Sequence, residues 1–345
     1  MRGLKLTCFL AVALSVFVSL GARAADEYID KLFAPPAAEE LQEVFDKTQY
    51  QPSCVDFATD AVYMEDADYV VWHATYKSDG LKQTGLFGLP KTPGRAPLAM
   101  INHAGFSGFS DYDRERLRQY LKRGYVVAVA TYRGEAGSAG AAEGKMDVLG
   151  DEAHDIMNLM ECAAAQPSVD PDKIVMMGVS HGAGLSVSVL IRSKRVRAAG
   201  LAAAPTNLMD DAMRKLAAEW RTRPAAVEVM LEMLIPKEGI KKMKQILGIK
   251  ARNAEQIPPA RFEMIRRSPA LFADKIQVPM MLYYGGQDPV ARFEDGALIE
   301  KSLKSRGIFC EMTVFGDRGH AFSPEESEAA HAKIIDFFDS VLKRQ

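Results

Sequence analysis

The chain has 345 residues, 48% hydrophobic and 26% charged, and its 43 Lys and Arg against 45 Asp and Glu leave a formal charge of −2. This balance excludes a disordered chain, a collagen-like repeat and a polytopic membrane protein. It lacks the basic excess of a nucleic-acid binder, and the length suits one α/β domain carrying an insertion.

Residues 1–24 read as a secretory signal. Arg2 and Lys5 open it, Cys8 to Leu20 is an apolar run, and Ala22-Arg23-Ala24 is a small-x-small cleavage pattern. The run is shorter than the ~18 residues a membrane span needs. The expectation is therefore an exported protein, periplasmic or secreted, with no stable membrane insertion once the signal is removed. Of the 4 cysteines, Cys54, Cys162 and Cys310 lie beyond the signal. They allow one bridge at most, and the pairing stays open.

Residues 25–50 predict a leader helix, with Pro35-Pro36 ahead of Ala37 to Phe45. Residues 55–90 predict a β meander; Tyr69 to Tyr76 is β-branched and aromatic, and Ser78-Asp79-Gly80 supplies a turn. From residue 97 short apolar runs alternate with helices. The strands are 97–102, 125–130, 173–178, 198–203, 279–284 and 308–314. The helices are 113–122, 151–165, 183–192 and a terminal one at 323–342. Apolar strands alternating with helices imply a mostly parallel sheet covered on both faces. Residues 205–268 interrupt the alternation with several helices, broken at Pro224, Pro236 and Pro258-Pro259, and predict a helical cap. Its methionines (Met209, Met213, Met230, Met233, Met243 and Met264) read as helix packing or as the lining of an acyl pocket.

The sharpest signal is Gly178-Val179-Ser180-His181-Gly182, a G-x-S-x-G turn between an apolar strand and an apolar helix. Such a turn lifts a serine hydroxyl above the sheet. The helix start behind it aims N–H groups at developing negative charge. A serine needs a base, and acid and histidine follow in that order in this architecture. Asp288 sits in the turn after the strand 279–284, and His320 in a glycine-containing loop before the last helix. Ser180 would attack, His320 would shuttle the proton, and Asp288 would orient the imidazole. Asp317 competes with Asp288 but lies three positions from His320, too local to reach its ring from behind. The oxyanion donors would be the backbone N–H of His181 and one from Asn102 to Gly108, with Gly105 favoured and Ala104 and Phe106 as its neighbours.

Asn102 to Gly105, Thr131-Tyr132-Arg133-Gly134, Val169 to Ile174, the Ser180 turn, Ser268-Pro269-Ala270 and Gly286-Gln287-Asp288 together resemble an α/β-hydrolase. More narrowly, the chain is similar to the prolyl oligopeptidase catalytic domain and to dienelactone-hydrolase-like esterases, over about residues 68–343. The resemblance implies an α/β-hydrolase fold over 25–345, with an N-terminal β extension and the cap inserted at 205–268. It departs from those families in three ways. The stretch before the core is too short for a propeller, the nucleophile is serine rather than the cysteine of dienelactone hydrolases, and Ala104 replaces a glycine after His103.

The expected activity is hydrolysis of carboxylic esters through an acyl-enzyme, with no metal and no cofactor. The expected partner is a small ester or short peptide. A peptidase acting on short or blocked peptides is the alternative, and an inactive binding module is the reading from another class. Arg133 is expected in an ion pair, and His103 in a hydrogen bond within its own loop. Asp151 to Asp155 lacks metal-ligand spacing and reads as a solvated helix face.

Overall fold

The computed structural model describes residues 27–109, 111–249 and 254–343; the signal segment lies outside them. The predicted leader helix is two helices, α1 (Glu27–Leu32) and α2 (Ala38–Lys47). Pro35-Pro36 between them supplies no N–H donors and disfavours a helical residue ahead of each proline.

Three antiparallel strands follow: β1 (Ala58–Glu65), β2 (Tyr69–Ser78) and β3 (Leu81–Pro90). The β2–β3 turn is Asp79-Gly80, with φ of 52° and 79°. Two left-handed residues in a two-residue loop match the twist of the flanking strands.

The alternating region supplies β4 (Ala96–Asn102), α3 (Asp111–Lys122), β5 (Val126–Ala130), a small hairpin of β6 (Ala136–Gly137) and β7 (Gly140–Ala141), and α4 (Glu152–Ala164). After these come β8 (Val169–Val179), α5 (His181–Leu190) and β9 (Val196–Ala202). Between β9 and the next strand stand α6 (Asp211–Thr222), α7 (Pro224–Glu232), α8 (Lys237–Ile246) and α9 (Ile257–Arg266), then a 3-10 turn at Pro269–Lys275. The chain ends with β10 (Met280–Gly285), α10 (Phe293–Ser305), β11 (Cys310–Phe315) and α11 (Pro324–Lys343). The hairpin and α10 were not anticipated from the sequence. Pro224, Pro236 and Pro258-Pro259 each stand at the start of the next helix, where missing N–H groups cost little, and so separate α6, α7, α8 and α9.

The main sheet runs β1-β2-β3-β5-β4-β8-β9-β10-β11. β3 pairs antiparallel with β5, and from β5 to β11 every pairing is parallel. Strand order reverses between β4 and β8, which opens a crevice at their carboxyl ends. Both faces are buried. Met100, Met176, Leu201 and Leu282 belong to one core, while Ile101, Val175, Ala198 and Met281 pack in the other with Ile334 and Phe338 of α11. Burial of alternate residues on opposite faces is why these strands read as continuous apolar runs.

The segment before β1 is fastened twice. Cys54 is bridged to Cys162 of α4, leaving Cys310 as a buried free thiol. Arg261 of α9 donates to the carbonyls of Lys31, Leu32 and Ala34 at 2.8–3.1 Å and forks onto Glu40 at 2.7 and 2.8 Å. Among the described residues, no helix is long and apolar enough to cross a membrane.

Candidate active site

The site is built on the carboxyl ends of β4, β8, β10 and β11. Ser180 stands between β8 and α5 with φ 50° and ψ −119°, a left-handed backbone that a non-glycine residue adopts only under strain. Its N–H donates to the Ala202 carbonyl at 2.8 Å, which ties the turn to β9. The flanking glycines are demanded by space. A Cβ on Gly178 would lie 2.6 Å from Ser186 Oγ, and one on Gly182 would overlap the Asn102 and His103 carbonyls.

Three predicted residues meet in one chain of contacts. Ser180 Oγ lies 2.7 Å from His320 Nε2, and His320 Nδ1 lies 2.8 Å from Asp288 Oδ2. The other Asp288 oxygen accepts the N–H groups of Val290 and Ala291 at 2.8 and 2.9 Å, so the carboxylate is clamped from behind. The Asp288 side chain is fully buried, whereas the imidazole is 30% exposed. Asp317 is 80% exposed, with its carboxylate 3.9 Å from Arg318.

The two loops bearing acid and histidine are laced together. Gly286 N–H donates to Phe315 O and Gln287 N–H to Arg318 O, each at 2.8 Å. Behind His320, Ser323 and Glu326 exchange hydrogen bonds at 2.8 and 3.1 Å, a capping box that starts α11. Arg318 Nε–H is shared between both oxygens of the same Glu326, at 3.0 and 2.9 Å.

Above the elbow runs the loop 102–108. Among the described residues, the backbone N–H groups of His181, Ala104, Gly105 and Phe106 have no backbone acceptor outside regular elements. Gly105 has φ +72°, and the Phe106 ring lies 4.5 Å from the His181 ring. The loop is anchored by Gly182 N–H donating to His103 O at 3.1 Å and by the Tyr132 hydroxyl donating to the same oxygen at 3.2 Å. His103 is buried, contacts Ala104 O through Nδ1 at 3.2 Å, and sits 3.3 Å from Glu135 through Nε2. Burial pulls its pKa down, but the Glu135 carboxylate outweighs this and leaves it above the ordinary value.

Sequence reasoning missed one contact of the residue after Ser180. His181 Nε2 is 2.8 Å from the buried Glu152 carboxylate, which also accepts the N–H groups of Asp147, Val148 and Leu149 at 3.0–3.2 Å. The solvated face expected for Asp151 to Asp155 is thus a mistaken reading. Glu152 and Asp155 are wholly buried, because α4 is enclosed on nearly all sides and its acids find partners there. Asp155 pairs with Arg133 at 2.7 Å, and Arg133 also reaches Asp79 at 2.8 Å. The ion pair expected of Arg133 is present. The signal available in sequence was a polar cluster on an otherwise apolar helix, which requires buried partners if the helix is enclosed.

A cavity of about 340 Å³ opens beside the Asp288 loop, lined by Met213, Leu216, Val227 and Met230 of α6 and α7 together with Pro289 and Arg292. Two of the six predicted methionines therefore line it. Met243 and Met264 are buried in packing, and Met233 is 49% exposed. Among the described residues no group of three or more His, Cys, Asp or Glu is gathered as metal ligands.

A profile of the prolyl oligopeptidase family matches residues 112–345. The uncharacterized peptidase YtmA of Bacillus subtilis (strain 168) is 24% identical over 252 residues, 73% of this chain and 86% of that protein. Dipeptidyl aminopeptidase BIII of Pseudoxanthomonas mexicana is 23% identical over 73% of this chain but only 34% of its own length. Among solved structures, acetyl xylan esterase 1 from Thermoanaerobacterium sp. JW/SL YS485 superposes with TM-score 0.62 at 16% identity, covering 93% of this chain and 99% of that one. The Pyrococcus horikoshii acylaminoacyl peptidase gives 0.55 at 15% identity, covering 87% and 43%.

Proposed function

The chain belongs to the prolyl oligopeptidase family of serine hydrolases, and from that premise we propose that it is an exported enzyme cleaving carboxylic esters through an acyl-enzyme. The observation that carries the reading is the unbroken Ser180–His320–Asp288 relay beside an apolar cavity. In this reading His320 takes the Ser180 proton as the hydroxyl attacks the acyl carbon. Asp288 stabilises the resulting imidazolium, and His320 returns the proton to the leaving alcohol. The His181 N–H and one from Ala104 to Phe106, with Gly105 favoured, hold the oxyanion. Water activated by His320 then releases the acid.

The ester preference rests on the cavity, whose methionine and aliphatic wall suits an apolar acyl group. The helices between β9 and β10 act as the cap that forms this wall. Export is supported by the Cys54–Cys162 bridge, since such bonds persist in oxidising compartments.

One observation favours the peptidase alternative. Glu219 lines the same cavity, and its Oε2 is buried without a hydrogen-bond partner among the described residues, with Arg223 Nε standing off at 3.7 Å. A carboxylate so placed would receive a substrate ammonium, as in an aminoacyl amide.

Labelling with a fluorophosphonate tests the reading. The wild-type protein should label and turn over p-nitrophenyl esters, while Ser180→Ala and His320→Ala should do neither. Faster turnover of aminoacyl p-nitroanilides than of esters, lost in Glu219→Gln, would replace the ester reading with the peptidase one. A folded protein that neither labels nor turns over any of these would leave the binding-module reading.

A further inference from the structure

Glu152, the first residue of α4, holds the side chain of the residue after Ser180. Its carboxylate is wholly buried, and burying one is costly unless its oxygens are bonded. One oxygen accepts the N–H groups of Asp147 and Val148, each at 3.2 Å. The other accepts the Leu149 N–H at 3.0 Å and meets His181 Nε2 at 2.8 Å. With a carboxylate facing it, Nε2 is the nitrogen that carries the proton. Four N–H groups on two oxygens fill the acceptor sites of the group.

The segment that feeds this carboxylate is strained. Val148 and Leu149 have φ of 39° and 60°, a left-handed pair without glycine, and both are buried. Such backbone persists where its surroundings over-determine it, and it gathers at functional sites. Successive N–H groups turned to one side make a concave nest for an anion, and Glu152 fills this one from within the chain. Leu149 also packs on α5, since a Cβ on Gly184 would lie 2.8 Å from its Cδ2. The carboxylate is therefore fixed by backbone on one side and grips the His181 ring on the other.

That ring stands between the two halves of the oxyanion site. The His181 backbone N–H is one donor in the reading above. The ring centroid lies 4.5 Å from that of Phe106, in the loop that supplies the other donor. It lies 5.6 Å from that of Tyr132, whose hydroxyl donates to the His103 carbonyl of the same loop. A shift of the ring disturbs both halves. Oxyanion donors are effective only when held at about 2.7–3.1 Å from where the charge develops.

We propose that Glu152 is a positioning residue for the oxyanion hole, setting the His181 N–H and the Phe106 loop through its grip on the His181 ring. The inference rests on the serine-hydrolase reading above. It places the defect of a Glu152 variant in the transition state and not in substrate binding.

The test is p-nitrophenyl ester kinetics per active site, with the sites counted by complete fluorophosphonate labelling and thermal midpoints recorded beside them. Glu152→Gln keeps the shape but turns an amide NH2 toward N–H donors. His181→Leu removes the ring nitrogen and leaves the carboxylate in place. Each should lower kcat about tenfold or more, up to the roughly 10²- to 10³-fold loss of one donor, with KM within about twofold. The double variant should lose no more than the worse single one, because both act through one ring. His181→Gln, whose amide can still donate to Glu152, should lose less than His181→Leu. Unchanged kcat per site in a folded Glu152→Gln would overturn the proposal, as would additive losses in the double variant or a raised KM with kcat intact. If Glu152→Gln does not fold, the two His181 variants decide, and equal kcat in them overturns it. A folded wild-type protein that neither labels nor turns over esters sinks the hydrolase reading itself, and this inference with it.

Discussion

Gly182→Ala isolates what the elbow needs from its surroundings. The added Cβ would lie 2.5 Å from the Asn102 carbonyl carbon, about 0.9 Å inside the 3.4 Å at which ordinary contact begins, and nearer still to the Asn102 and His103 oxygens. All three atoms are backbone at the end of β4, so no flexible side chain can yield. Something has to move, and the candidates are the elbow and the loop 103–106. The Gly182 N–H bond to His103 O at 3.1 Å stretches with it. Overpacking of this kind costs about 1–3 kcal/mol in stability. Displacing one oxyanion donor costs about 10²- to 10³-fold in kcat. The expected outcome is a folded protein with a lowered melting midpoint, kcat on a p-nitrophenyl ester reduced by at least about a hundredfold, and slowed fluorophosphonate labelling. Gly316→Ala is the matched control, because its Cβ meets nothing within 4 Å. Full activity in Gly182→Ala, or an equal loss in Gly316→Ala, would refute the steric argument.

Asp288→Asn should lower kcat by about 10⁴ with little change in melting midpoint, while Asp317→Asn, in an exposed side chain, should leave kinetics unaltered. His331 is buried, and desolvation with the nearby Arg116 charge depresses its pKa to about 3. Its folded pKa lies below the unfolded one, so the unfolded chain takes up the proton first. Stability is then full above about pH 6.5 and falls by about 1.4 kcal/mol per pH unit below it, down to about pH 3. Urea titrations at pH 7 and pH 5 should differ less in His331→Leu than in wild type, and an unchanged difference would reject the assignment. Reducing the Cys54–Cys162 bridge, which spans 108 residues, should cost about 2–5 kcal/mol and lower the melting midpoint in dithiothreitol.

The central strands were legible because they are apolar on both faces. A continuous run such as Val126 to Ala130 is too short for a buried helix and too apolar for a surface loop. Ser180, Asp288 and His320 were legible for a different reason. Each sits in a loop that follows a strand, and the order along the chain restricted the partners. Glu152 was not, since its role depends on α4 being enclosed by elements distant in sequence. The same holds for the cysteine pairing, because Cys54 lies in an irregular segment whose path only the packed structure defines. The leader region divides into two helices because Pro35-Pro36 both starts α2 and ends α1. Gly296 of α10 faces the Tyr284 ring, where any side chain would collide.

The fastening of the segment before β1 bears on where this chain can be shortened. A cut ahead of Ala58 would keep every strand of the sheet, together with Ser180, Asp288 and His320. It would also strip the buried Arg261 guanidinium of Lys31, Leu32, Ala34 and Glu40, its hydrogen-bond acceptors on α9's outer side. It would uncover, too, the core surface against which Ile29, Leu32, Phe33 and Val44 are buried, side chains worth about 1.5–3 kcal/mol each, a large share of the roughly 5–15 kcal/mol that typical domains hold. The same cut removes Cys54 and exposes the Cys162 thiol to exchange. The shortest stretch that contains the chemistry is therefore not the shortest stretch that stays folded.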